Sequence, residues 1–221
     1  MRNNILFLFL ILTIFSSCSI EKSQVKILNT TEEIIHDKII VAFGDSLTYG
    51  YGIDREYSYP SQLQKELDEL EYNIKVYNSG LSGETTTAAL NRVEWVLQLN
   101  PDIVILTIGG NDAIRGIDIE ITKSNIEKII NIFNNNNVTI ILSGMEIYEN
   151  MGEQYVSEFK QIYFDIAKDK NVSFIPFFLE GVAGNTSLNI GDRIHPNKEG
   201  YSIIVKQNIL PVLLPILENK S

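Results

Sequence analysis

Lys38-Ile39-Ile40-Val41-Ala42-Phe43-Gly44-Asp45-Ser46-Leu47-Thr48 runs from one base through five consecutive apolar residues into a glycine, an acid and a serine. A short apolar run rich in β-branched residues and bounded by polar positions predicts a strand over 39–43, covered on both faces. Runs of the same character recur at 74–77, 103–108, 138–142 and 172–175. The intervals between them carry helical spacing, as with Leu63, Leu67 and Leu70 within 60–70, and Ala89, Val93, Val96 and Leu97 within 85–97. Further helices fit 119–133, 154–168 and 198–210, with Pro196 helping to start the last and Pro211 ending it; 134–137 reads as a loop. Short buried strands alternating with helices imply an α/β domain: a three-layer αβα sandwich around a five-stranded parallel sheet.

The chain has 221 residues, 44% apolar content and a formal charge of −10. That length supports one domain with a full core, placed at 38–221. An acidic domain without a basic run repels phosphate backbones, which argues against nucleic acid and against electrostatic attachment to anionic lipid. Residues 1–17 join a short charged start to an apolar run too brief for a comfortable membrane span, the pattern of an export signal. Ser16-Ser17-Cys18 follows, and Cys18 is the only cysteine. This segment resembles a bacterial lipoprotein signal, which implies cleavage before Cys18, lipidation of its thiol and residence in the cell envelope, at the periplasmic or outer-membrane face. The alternative is an ordinary secretory signal with an incidental cysteine. Residues 18–37 are polar and aperiodic and read as a tether.

In open α/β sheets the working loops follow the C-terminal ends of strands. The first strand is followed by Gly44-Asp45-Ser46-Leu47, the second by Asn78-Ser79-Gly80-Leu81-Ser82-Gly83-Glu84, the third by Gly109-Gly110-Asn111-Asp112. Past the fifth lies Asp192-Arg193-Ile194-His195-Pro196. A serine hydroxyl needs an adjacent base to act as a nucleophile. Of two histidines, His36 falls in the tether, so His195 is the candidate within the domain. Asp192, three residues earlier, can reach Nδ1 of the imidazole from the same turn. Asp45 and Asp112 are read as loop-holding acceptors, Arg115 as an ion-pair partner, and Tyr49 and Tyr51 as either pocket wall or packing.

These four ordered segments resemble the GDSL or SGNH hydrolase family, named for Ser, Gly, Asn and His residues that here are Ser46, Gly83, Asn111 and His195. The nearest likeness is to its thioesterase I/lysophospholipase L1/arylesterase branch. It rests on 44–47, Ser-Gly-Glu-Thr at 82–85, Gly-Gly-Asn-Asp-Ala-Ile-Arg-Gly at 109–116 and Pro-Phe-Phe-Leu-Glu at 176–180. The resemblance implies a flavodoxin-like fold and hydrolysis of small acyl esters or thioesters through an acyl-serine. It also implies an oxyanion site made by the N–H groups of Ser46 and Gly83 and the amide of Asn111, with no metal or cofactor. Removal of acetyl groups from carbohydrate stays open as a second activity, as does a non-catalytic surface lipoprotein keeping the fold as a binding module. The phosphate cradles Gly-x-Gly-x-x-Gly and Gly-x4-Gly-Lys-Ser/Thr are missing, and Ser46 does not sit in Gly-x-Ser-x-Gly.

Overall fold

A computed structural model describes residues 36–147 and 151–219. Cys18, the export segment and nearly all of the tether lie outside the described residues. Five parallel strands, β1 (Lys38–Gly44), β2 (Ile74–Gly80), β3 (Ile103–Thr107), β4 (Thr139–Ser143) and β5 (Ser173–Ile175), form one sheet in the order β2-β1-β3-β4-β5. The two central strands carry the purest apolar runs because helices cover both their faces: every residue of β3 is buried, as is 40–44 of β1. Removing an isoleucine or leucine of this kind from water contributes about 1.5–3 kcal/mol.

The helices that flank the sheet are α2 (Tyr59–Glu69), α3 (Thr86–Leu97), α5 (Ile119–Asn135) and α6 (Glu153–Lys170), with short α1 (Ser46–Tyr49) and α4 (Gly110–Ile114) at strand ends. In α5, Asp118 caps the first turn by accepting from the Glu120 N–H at 2.8 Å. Thr122, Ile126, Ile129, Ile130 and Phe133 then make one buried stripe, and Phe133 meets the Phe43 ring edge-on at 6.0 Å. Helices α3, α5 and α6 pack side by side on one face of the sheet. The other face is covered by α2 and a C-terminal helical run: α7 (Lys198–Ile203), a π-helical segment (Ile204–Ile209) and α8 (Leu210–Glu218).

Most element boundaries shift by one or two residues from the sequence expectation, and four departures have a visible cause. β2 continues through Asn78 to Gly80, because its backbone pairs with β1 as far as Gly44↔Gly80; ladder bonds extend an edge strand beyond its apolar residues. α5 runs two residues past Phe133, so only Asn136 and Asn137 turn the chain, the latter at φ 60°. The last helix does not stop at Pro211. The π-helical segment widens the turn ahead of it, the Leu210 N–H reaches back to the Val205 carbonyl, and Pro211 falls in the first turn of α8, where its missing N–H does no harm. Pro196 does not open α7: Asn197 is its N-cap, accepting from the Gly200 N–H at 3.0 Å, and Pro196 bridges to Asn189 instead.

Chain order reverses at β1, which has β2 on one side and β3 on the other. Such a switch point splays the loops that leave neighbouring strands and opens a crevice at their C-terminal ends. Ser46, Gly83 and Asn111 leave β1, β2 and β3 at that crevice. His36 lies at the opposite end of β1, roughly 20 Å away by strand rise.

Candidate active site

Ser46 is the first residue of α1, and Asp45 caps that turn by accepting from the Leu47 N–H at 3.0 Å. The turn throws the serine hydroxyl into the crevice, where its Oγ stands 2.7 Å from Nε2 of His195. On the other side of the ring, Nδ1 is 2.7 Å from Oδ2 of Asp192. The second oxygen of Asp192 accepts the backbone N–H groups of Ile194 and His195 at 2.9 and 3.0 Å. Burial works to raise the Asp192 pKa, but these two N–H groups and the imidazole outweigh it and hold the carboxyl below its ordinary value. Asp192 is thus ionised and faces Nδ1, which favours the tautomer whose Nε2 lone pair points at Ser46. The loop that carries both residues is pinned by the Ile190 N–H to the His195 carbonyl at 2.8 Å and by the Asn189–Pro196 bridge.

Gly83 adopts φ 79°, a left-handed conformation that strains any residue with a Cβ. Its carbonyl accepts from Arg115 Nη2 at 2.7 Å, while among the described residues no acceptor takes its N–H or that of Ser46. Among the described residues Arg115 therefore serves as an anchor of the Gly83 carbonyl and makes no ion pair. Asn111 follows Gly109 and Gly110; a Cβ on Gly109, at φ 114°, would meet the Tyr163 hydroxyl at 2.2 Å. The Asn111 amide donates one N–H to Asp45 Oδ2 at 3.3 Å, which leaves its second N–H for an acceptor in the crevice. Asp112 accepts from the Thr86 N–H at 2.8 Å and the Thr86 hydroxyl at 2.5 Å, tying the loop after β3 to the start of α3. Asp45 and Asp112 hold their loops as their residue type suggested.

Two participants, Glu84 and Arg92, escape the sequence reading. Glu84, buried beside Gly83, is gripped by Nε and Nη2 of Arg92 at 2.5 Å each. A base bordering the apolar stripe of α3 was the available signal, since such a side chain requires a buried partner. Tyr51 resolves the choice between pocket wall and packing in an unforeseen way: its ring lies on His195, centroids 4.8 Å apart, while remaining half exposed.

The carboxyl of Asp45 is pushed up to about 7, mainly by its burial; the Leu47 N–H counters this, the Glu84 charge adds to it, the Asn111 amide counters it again and Asp112 adds to it. In the unfolded chain the same group titrates near 4. The folded protein therefore binds this proton more tightly, and the stability it contributes is present at low pH and lost as pH rises through about 7. Asp45→Asn removes that titration. In urea unfolding, its stability relative to the parent is expected to improve by about 1 kcal/mol from pH 6 to pH 8. A pH-independent difference would exclude a buried, titrating Asp45.

The profile of the GDSL-like lipase/acylhydrolase family matches residues 42–203. An arylesterase of Vibrio mimicus is 34% identical over 77% of this chain and 85% of its own length. The thioesterase 1/protease 1/lysophospholipase L1 of Escherichia coli (strain K12) is 30% identical over 75% of this chain and 78% of its own. Among solved structures, the psychrotrophic esterase EstA from Pseudoalteromonas sp., inhibited by monoethylphosphonate, superposes with a TM-score of 0.78 at 29% identity, covering 83% of this chain and all of that one. A serine in a strand-end turn, a histidine on its hydroxyl and an aspartate behind the ring thus occur in a chain that belongs to the GDSL-like lipase/acylhydrolase family and is a carboxylic ester hydrolase of its SGNH type.

Proposed function

We propose that Ser46, His195 and Asp192 form the catalytic triad of an esterase that cleaves acyl esters and thioesters through an acyl-serine. The observation that carries this reading is the unbroken Asp192–His195–Ser46 series, 2.7 Å at each step. His195 Nε2 takes the Ser46 proton as Oγ bonds to the acyl carbon, then delivers it to the departing oxygen or sulfur as that bond breaks. Water repeats the sequence and releases the acid. The oxygen that becomes negative is received by the N–H groups of Ser46 and Gly83 and the free N–H of Asn111, donors worth about 3–4 kcal/mol each where measured. Leu81 and Ile114, 52% and 67% exposed beside the Gly83 and Asn111 turns, give the acyl chain apolar surface. That favours medium acyl groups over acetyl.

The test is covalent. A p-nitrophenyl alkylphosphonate, which places a tetrahedral phosphorus on an activated serine, is expected to add one phosphonyl group per chain, located at Ser46 by peptide mass spectrometry. Labelling should vanish when the protein is unfolded first. Equal labelling in the unfolded chain, or at another residue, would reject the triad.

The reading extends to location: a lipid on Cys18 would hold the domain at a membrane of the bacterial envelope on a tether of about twenty residues. Its support is the short apolar segment ending in Ser16-Ser17-Cys18 and the absence of a second cysteine. Cells fed an alkyne fatty acid should label the parent and not Cys18→Ser; equal labelling of the two would exclude the anchor.

A further inference from the structure

The loops that carry Gly83 and Asn111 leave different strands, and one exposed side chain joins them. Leu81 through Glu84 make a turn after β2, with the Glu84 N–H on the Leu81 carbonyl at 3.1 Å and Gly83 at φ 79° in its third position. The ends of this turn are held from below. The Leu81 N–H bonds the Gly44 carbonyl of β1 at 2.9 Å, and the Glu84 carboxylate is gripped by Arg92. Among the described residues, Ser82 and Gly83 at the apex have a single hydrogen-bond partner, Nη2 of Arg115, which donates to the Gly83 carbonyl at 2.7 Å.

Arg115 is attached through its backbone to the second donor loop. It closes α4, and its N–H bonds the Asn111 carbonyl at 3.2 Å. The next two residues lock that turn, the Gly116 N–H on the Ala113 carbonyl at 3.0 Å and the Ile117 N–H on the Asp112 carbonyl at 2.9 Å. One residue thus bonds Asn111 by its main chain and Gly83 by its guanidinium. Its side chain is exposed. Such a contact adds little to folding, because water competes for both groups and a long side chain must be ordered.

We infer that Arg115 is a positioning residue for the oxyanion site: it holds the Gly83 N–H at the spacing from Asn111 that lets both donors meet one oxygen. This rests on the assignment of those donors made above. Glycine has no side chain, so only its peptide groups can be held, and Arg115 holds one of them. Donors stabilise the tetrahedral oxyanion when they stand about 2.7–3.1 Å from where its oxygen will be. An apex free to swing would meet that condition only part of the time. The loss would fall on the transition state, where the charge develops, and spare the bound ester. One donor suffices for the contact, so an ammonium can replace the guanidinium here, whereas the grip of Arg92 on Glu84 uses two nitrogens.

Arg115→Ala is expected to lower kcat for p-nitrophenyl butyrate by about 10- to 100-fold, somewhat less than the loss of a whole oxyanion donor. KM should stay within about twofold of the parent and the melting temperature should hold. Arg115→Lys should recover most of the rate. A second readout needs no turnover. 1-Butaneboronic acid forms a bond from Ser46 Oγ to boron, with the serine proton passing to His195, and the resulting tetrahedral boronate carries an oxygen where the oxyanion would lie. Its affinity should fall in Arg115→Ala by about the factor lost in kcat/KM. An unchanged kcat, a loss confined to KM, an Arg115→Lys variant no faster than Arg115→Ala, or boronate affinity equal to that of the parent would overturn the inference. A parent that neither cleaves the ester nor takes a phosphonyl group at Ser46 would reject the triad and this role with it. An active, labelled parent with an indifferent Arg115→Ala variant would reject the role of Arg115 alone.

Discussion

Replacing Ser46 with alanine is expected to lower kcat for p-nitrophenyl butyrate by about four to six orders of magnitude, with little change in KM. The substitution removes the oxygen that becomes bonded to the acyl carbon. It leaves the Ser46 N–H, the left-handed Gly83 and the Asp45-oriented Asn111 amide in place. Substrate should therefore still bind, and water should still attack within a site that stabilises the oxyanion, leaving a small residual rate above that in free solution. His195→Ala should cost a similar factor, because a serine without its base is nearly as inert as no serine at all. The double variant should be no slower than either single one, since the two residues act as a unit. Among the described residues the Ser46 hydroxyl has one side-chain partner, the imidazole, so the melting temperature should barely move. Retention of a tenth or more of the parental kcat by Ser46→Ala would locate the nucleophile elsewhere and dismiss the relay as incidental.

Much of this site is legible in the sequence because its constraints are local. The central strands announce themselves through unbroken apolar runs, since β1 and β3 are covered on both faces. The Asp192-to-His195 spacing states its own geometry, and the Asp45 cap lies two residues from the N–H it accepts. What stays hidden is decided by partners distant in the chain. The length of β2 follows from pairing with Gly44, not from its own residues, and its last three positions look like loop. The run of helix past Pro211 depends on a π turn that propensity does not encode. Tyr51 could be assigned to neither wall nor core without the ring of His195, which lies 144 positions further on. Arg92 is the sharpest case, a base beside an apolar stripe whose partners Glu84 and Ser79 face it only once α3 has packed.

Arg92→Ala is accordingly expected to destabilise the fold by about 3–5 kcal/mol, the range for removing one partner of a buried pair. Glu84 has no side-chain exposure, and Arg92 satisfies both its oxygens. The same guanidinium donates to the Ser79 hydroxyl at 2.9 Å and the Ser79 carbonyl at 2.8 Å, and lies over the Phe43 ring at 4.5 Å. It thus joins α3 to the end of β2, to β1 and to the loop that presents Gly83. Truncation strands a carboxylate in a dry environment and opens a gap over Phe43, and a domain with about 5–15 kcal/mol in hand tolerates little of that. Lysine cannot substitute, because a single ammonium does not span both carboxylate oxygens and Ser79 together. Urea unfolding checks the expectation: a loss below about 1 kcal/mol would mean the pair behaves as an ordinary surface bridge. Combining Arg92→Met with Glu84→Leu removes both charges, so much of the lost stability should return. Activity should not return with it, since the Gly83 N–H depends on where that loop is held as well as on whether its charge is compensated. A double variant that recovered both stability and kcat would show that the pair only offsets buried charge and has no part in aiming the Gly83 donor.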